Sequence, residues 1–183
     1  MSSVRLVAWT TAQLRERLTE ALNVYVTAMA YPPGTAQQRA PMWVEHMARP
    51  NWRCVVALDE RDAILGICYG YRGAPRQWWH EQVHKGLSEV MPPEALRAWM
   101  GDYFELTELH VRPDAQGRGL GEALLRHVLA EPAPAANVLL STPEGPSRAW
   151  RLYLRVGFQE LLRDYRFAGD PRRFAVLGRH LPL

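Results

Sequence analysis

The chain predicts an α/β fold, and three observations carry that expectation. Short runs rich in β-branched and aromatic residues, such as Trp52–Leu58 and Tyr103–Val111, alternate with stretches whose apolar residues recur at helical spacing. Proline and glycine clusters punctuate them, at Tyr31-Pro32-Pro33-Gly34 and at Arg112-Pro113-Asp114. The strand ending at Val111 then passes through three glycines directly into a helical segment, a strand–loop–helix unit. At 183 residues the expectation is one domain, 1–183, with one core.

The elements follow in order. Val4–Trp9 reads as a first strand. Thr10 or Thr11 caps a helix from Ala12 to about Ala30, with Leu14, Leu18, Ala21, Leu22 and Tyr25 on one face. The Pro-Pro-Gly cluster ends it, and a shorter helix is expected over Pro41–Met47. Trp52–Leu58 and Ala63–Tyr71 form a hairpin across the turn Asp59–Asp62. Ala74–Asp102 is a helical insert of two helices split at Pro92-Pro93. It holds Trp78, Trp79 and Trp99, three of the seven tryptophans. Large apolar rings pack before they bind, so these are expected to seat the insert rather than wall a ligand. Tyr103–Val111 is a strand, Glu122–Ala130 a helix, Asn137–Ser141 a strand and Ala149–Val156 a helix with Gly157 as its left-handed cap. Phe158–Phe167 and Arg172–Leu177 would close as an antiparallel pair.

Composition narrows the function. The net charge of +3 comes from scattered residues, all arginine except Lys85, with no basic run, which argues against nucleic acid. No apolar run is long enough to span a bilayer, and none forms a signal core. The two cysteines, Cys54 and Cys68, fall on consecutive strands and are expected to be reduced thiols in a cytoplasmic protein.

The chemistry concentrates in Glu108-Leu-His-Val-Arg-Pro-Asp-Ala-Gln-Gly-Arg-Gly-Leu-Gly121. Glycines 117, 119 and 121 leave the backbone bare where a helix begins. N–H groups of a first turn have no intrahelical partner and carry partial positive charge, so a phosphate or pyrophosphate suits them. A Walker loop is excluded, because Lys85 lies elsewhere. A dinucleotide fingerprint is excluded by glycine spacing. What remains is Gln/Arg-x-x-Gly-x-Gly/Ala after a strand ending Val-x-Pro, matched by Gln116, Gly119 and Gly121. Here the chain resembles the GNAT superfamily of acyl-CoA-dependent N-acetyltransferases. Downstream, Ala149-Trp-Arg-Leu-Tyr153-Leu-Arg-Val-Gly157-Phe158 is similar to the family's Ala-x-x-Leu-Tyr-x-x-x-Gly-Phe. One departure stands three residues before Ala149, where the family often has an Asn for the pantetheine arm and this chain has Pro146. Ser147 or Ser141 is the alternative contact, or the backbone alone.

The resemblance implies a mixed, mostly antiparallel sheet of about seven strands with helices on both faces, and parallel strands that splay at the acyl-CoA site. It implies direct transfer of an acetyl group from acetyl-CoA to a primary amine, without a metal. The backbone of Leu109, His110 and Val111 would meet the acyl and pantetheine amides. Gln116, Gly117, Arg118, Gly119, Leu120 and Gly121 would hold the pyrophosphate, with Arg112 adding charge. Tyr153 would return a proton to the leaving thiolate, since a phenol is protonated at neutral pH. The base, where one is used, falls at Glu105, with Glu108 as the fallback. By strand alternation Glu105, Thr107, Leu109 and Val111 share one face and Glu108 and His110 the other. The loop Tyr31–Pro41, the insert and these carboxylates would shape the acceptor pocket, which suits a small cationic amine; protein N-termini and lysines stay open. The exposed aromatics of the insert and the closing strands favour a homodimer. A non-catalytic acyl-CoA sensor is the alternative, needing neither Tyr153 nor a base. A distant alternative is a zinc hydrolase, from His80-Glu81-Gln82-Val83-His84 in the insert. That reading needs a third ligand, for which only Glu105 or Glu108 offers itself.

Overall fold

A computed structural model describes residues 3–183. Its strands are β1 (Arg5–Trp9), β2 (Arg53–Leu58), β3 (Ile64–Arg72), β4 (Tyr103–Val111), β5 (Asn137–Pro143), β6 (Gln159–Tyr165) and β7 (Phe174–His180). They form one seven-stranded mixed sheet in the order β1-β2-β3-β4-β5-β7-β6. β4 and β5 run parallel, with Tyr103, Phe104 and Glu105 opposite Asn137, Val138 and Leu139. The pairs β1–β2, β2–β3, β5–β7 and β6–β7 are antiparallel. The helices are α1 (Thr11–Glu16), α2 (Leu18–Ala28), α3 (Thr35–Met47), α4 (Trp78–Ser88), α5 (Pro93–Met100), α6 (Leu120–Val128) and α7 (Arg148–Val156).

The chain forms two compact units. The first takes the described residues up to Tyr71 together with Leu106–Ala130; the second takes Arg72–Glu105 and Glu131–Leu183.

In the first unit, Thr10 caps α1 through a reciprocal pair with Gln13, each side chain meeting the other's backbone N–H. The single helix expected from Ala12 to Ala30 is in fact two, because Arg17 leaves helical geometry at φ −120° and ψ 28°. There its guanidinium lies over the Trp9 ring and bonds Glu20. The next helix also differs from expectation. α3 begins at Thr35 rather than at Pro41, which sits inside it. Gly34 in the left-handed region turns the chain, Thr35 closes onto Pro32, and the buried face of Trp43, His46 and Met47 outweighs the one hydrogen bond that Pro41 forfeits. β2 and β3 are buried at nearly every position, the mark of strands covered on both faces. One cover is the core of Leu14, Leu22, Tyr25, Trp43, Val56 and Tyr69. The other includes α6. A methyl group on Gly66 would stand 2.9 Å from Leu124 and 3.0 Å from the His110 carbonyl, so only glycine lets these elements approach. Cys54 and Cys68 are free and buried, and burial pushes both thiols up, leaving them protonated.

The second unit is built on the insert. α4 and α5 split at Pro92-Pro93 as expected; Pro92 stands extended just before α5 and Pro93 opens it. Their apolar faces join Tyr103, Leu139, Phe167, Phe174 and Val176 in a second core. Each side chain buried there contributes about 1.5–3 kcal/mol relative to exposure. Trp79 is buried and donates its indole N–H to Ser141 at 2.9 Å. Trp99 is half-buried against the same core, and only Trp78 stays exposed. α7 ends at Gly157, left-handed at φ 97°, and Phe158 leads into β6.

Candidate functional site

In the first unit the run from β4 to α6 leaves one spot bare. Arg112 N–H donates to Leu65 O at 2.8 Å, fixing the exit of β4. Pro113–Ala115 make a single 3-10 turn. Gln116 reaches back and donates to Val111 O at 3.0 Å, so its side chain braces the loop. Gly117 and Gly119 both take left-handed backbone, φ 77° and 76°. Gly119 is the N-cap of α6 and offers no side chain to its orphan N–H groups. A methyl group at Gly119 would meet nothing within 4 Å. The first helical bond comes from Ala123 to Gly119 O, so the N–H groups of Leu120, Gly121 and Glu122 precede the helical ladder. Bare donors, an open approach and no cap together fit an anion. Glu122 opposes that field, but it is paired with Arg126 at 3.0 Å. Arg112 is bound to Asp114, and this hydrogen bond holds the Asp114 carboxyl below its usual range. Arg118 donates to Asp114 O at 3.3 Å. Both arginines therefore brace the turn.

Glu108 and His110 lie on one face of β4, as alternation requires, and their side chains meet. His110 Nε2 is hydrogen-bonded to a Glu108 carboxylate oxygen. The two side chains are 11% and 10% exposed, respectively. Tyr25 of α2 sets its ring edge-on to His110, centroids 4.9 Å apart, and Tyr31 packs edge-on to Tyr25 at 5.4 Å. Burial, then the Glu108 carboxylate and the bond with Tyr31, push the Tyr25 phenol up, with Arg39 opposing. Sequence reasoning treated Tyr25 only as a helix face residue. Its place beside His110 has no local signature, because it depends on the packing of α2 on β4.

The second unit holds the other candidates. Glu105 is buried on β4. Tyr153 is buried on α7 and packs on Phe158, centroids 5.5 Å apart. Ser147 is the N-cap of α7, its hydroxyl accepting from Trp150 N–H at 3.0 Å. Ser141, the other candidate for the pantetheine contact, accepts from Trp79. The zinc-like pentapeptide lies on α4. His80 Nδ1 is bonded to Tyr103 Oη at 2.9 Å, and Glu81 accepts from Arg76 N–H at 2.7 Å. Burial lowers the His80 pKa. Among the described residues no three His, Cys, Asp or Glu side chains gather as a metal site. No helix there is long and apolar enough to cross a membrane.

Residues 50–160 match the sequence profile of the acetyltransferase (GNAT) domain, more than half of the chain. The chain belongs to the GNAT acetyltransferase family. A GCN5-like protein acetyltransferase of Mycobacterium tuberculosis is 50% identical over 197 aligned positions, covering 94% of this chain and 95% of that protein. The fold likewise matches solved GNAT structures. A Bacillus cereus acetyltransferase aligns with TM-score 0.61 at 12% identity, covering 97% of both chains. The ribosomal-protein-S18-alanine N-acetyltransferase of Escherichia coli aligns with TM-score 0.64 at 15% identity, covering 99% of this chain and 96% of that one. At such identities the structures speak for the fold alone, while the profile and the closer relative make this chain an acyltransferase. Both motifs lie within the matched range, in the loop into α6 and in α7 with its glycine cap.

Proposed function

We propose that this GNAT acetyltransferase transfers an acetyl group from acetyl-CoA to a primary amine. The observation that carries the reading is the uncapped N-terminus of α6 behind Gly117 and Gly119. The N–H groups from Gly117 to Gly121 would hold the pyrophosphate, and the backbone of Leu109, His110 and Val111 the acyl arm. When bound, acetyl-CoA supplies an activated thioester. Tyr153 would hold a proton at Oη for the departing sulfur. Ser147 would offer the arm its hydroxyl hydrogen, since its oxygen already accepts from α7. Of the two carboxylates considered as base, both lie on β4: Glu105 is buried, and Glu108 is bonded to an imidazole.

The relative at 50% identity is described as a protein acetyltransferase. That supports a lysine or N-terminal amine of a protein as acceptor, ahead of the small cationic amine to which the residue types alone pointed. The test is the melting temperature with and without acetyl-CoA. A ligand at ~100 times its dissociation constant stabilises by about 2.7 kcal/mol, a shift of several degrees. No shift, for folded protein free of copurified CoA, would overturn the reading.

A further inference from the structure

We propose that His110 is the base that takes the proton of the acceptor ammonium, and that Glu108 positions its ring. The proposal rests on the acetyl-transfer reading above and names a residue for the step that reading leaves open. Three features on one face of the first unit support it.

The first is the ring's orientation. Nε2 faces a Glu108 carboxyl oxygen; an ionised carboxylate only accepts, so with it Nε2 carries the hydrogen and a neutral ring keeps its lone pair on Nδ1. No hydrogen bond to Nδ1 is present among the described residues. A base whose other nitrogen is bonded to a carboxylate is the arrangement by which an imidazole is held in one tautomer and its cation stabilised. The second is enclosure. Both side chains are about nine-tenths buried, so their attraction is screened less than on a surface. The third is Tyr25, whose ring against the imidazole edge leaves His110 little freedom to turn. Its own phenol holds its proton and does not compete as a base.

The step balances without a further reactant. An N–H bond of the ammonium breaks and an N–H bond forms at His110 Nδ1. The electron pair left on the amine attacks the thioester carbonyl carbon. The carbon–sulfur bond breaks with its pair on sulfur, which takes the proton held by Tyr153, while the second N–H bond of the attacking nitrogen breaks and its proton returns through solvent to the Tyr153 oxygen. The imidazolium at His110 then loses its proton to solvent.

The test begins with wild-type protein, acetyl-CoA and three amines: a peptide with one lysine, a peptide with one free N-terminus, and spermidine. Release of CoA thiol is the readout. With the best of these, His110→Gln should lose ~100-fold or more in kcat, within the usual range for a general base. Its KM for acetyl-CoA and its acetyl-CoA melting shift should stay unchanged. Added imidazole should restore turnover to His110→Gly, which a merely structural histidine would not show. Nitrogen NMR of the wild-type ring at pH 8 should find Nε2 protonated and Nδ1 bare, and Glu108→Ala should mix the tautomers. Full turnover by His110→Gln, or a proton on Nδ1 in the wild type, overturns the base and leaves the transferase standing. If no amine is turned over by the wild type, the transferase reading falls and the base with it. Should the variants fail to fold, the wild-type tautomer still decides.

Discussion

The indole of Trp99 lies flat on the imidazole of His180, centroids 4.2 Å apart and planes 10° from parallel. Around this stack Asn137 joins three elements. It donates to the Ala98 and Trp99 carbonyls and accepts at 2.6 Å from His180. Gly178 makes room beneath, since a methyl group there would stand 2.9 Å from the Trp99 ring. Trp99→Ala should therefore destabilise the protein by about 2–4 kcal/mol, combining lost burial with the lost ring pair. Urea unfolding would show a lower midpoint at unchanged slope. A midpoint within error of wild type would refute the role of the stack.

At Gly119 the strain and the function separate. The backbone is left-handed but the space is open. Gly119→Ala should cost about 1–2 kcal/mol in stability from the left-handed conformation alone. A valine there would also stand in the anion's path, so Gly119→Val should abolish the melting shift by acetyl-CoA. A full shift for Gly119→Val would mean that the pyrophosphate binds elsewhere.

Tyr153→Phe keeps the ring that packs on Phe158 and removes only the hydroxyl. The expected outcome is a kcat lower by ~100-fold or more, as for loss of a general acid, with the acetyl-CoA melting shift retained. Equal turnover by the variant would assign the proton to water.

His46 makes stability depend on pH. Burial first, and Arg49 second, lower its pKa from 6.5 to about 4, while its Nδ1 meets Tyr69 Oη at 2.8 Å. The unfolded chain thus accepts a proton that the folded chain refuses. Stability should be full above pH 6.5 and fall as the pH drops towards 4, by up to ~3 kcal/mol from this group. His80 is shifted in the same direction and adds to the trend. Denaturation of His46→Gln between pH 7 and pH 4 should give a flatter profile; an unchanged slope would show that other groups set it.

Much of the fold was legible because its signals are local. Thr10 or Thr11 announced a helix start, Pro92-Pro93 a break between helices, and Gly157 a helix end; Thr10, the two prolines and Gly157 do that work. β4 has the limits read from its pattern, Tyr103–Val111. The misreadings also have physical causes. Pro41 looked like a helix start because proline suits a first turn, yet α3 runs through it for the sake of its buried face. Arg17 looked like one more helical residue, and at its break its guanidinium lies over Trp9 of another element, which periodicity within the helix does not record. In the candidate site, sequence reasoning chose the loop and Tyr153 by motif. It also put Glu108 and His110 on one face by alternation, without showing that their side chains would bond.

By itself, the sequence determined the family, the glycine loop ahead of α6 and most of the order of elements, because glycine positions, caps and apolar periodicity act within a few residues along the chain. Only the tertiary structure decided which polar groups are used up and which are left to act. Ser147 is taken by its helix, Arg112 by Asp114 and His80 by Tyr103, while His110 receives Glu108 on one nitrogen and Tyr25 at its edge. Hydrogen-bond partners and burial are set by elements distant in sequence, and no spacing rule within one segment records them.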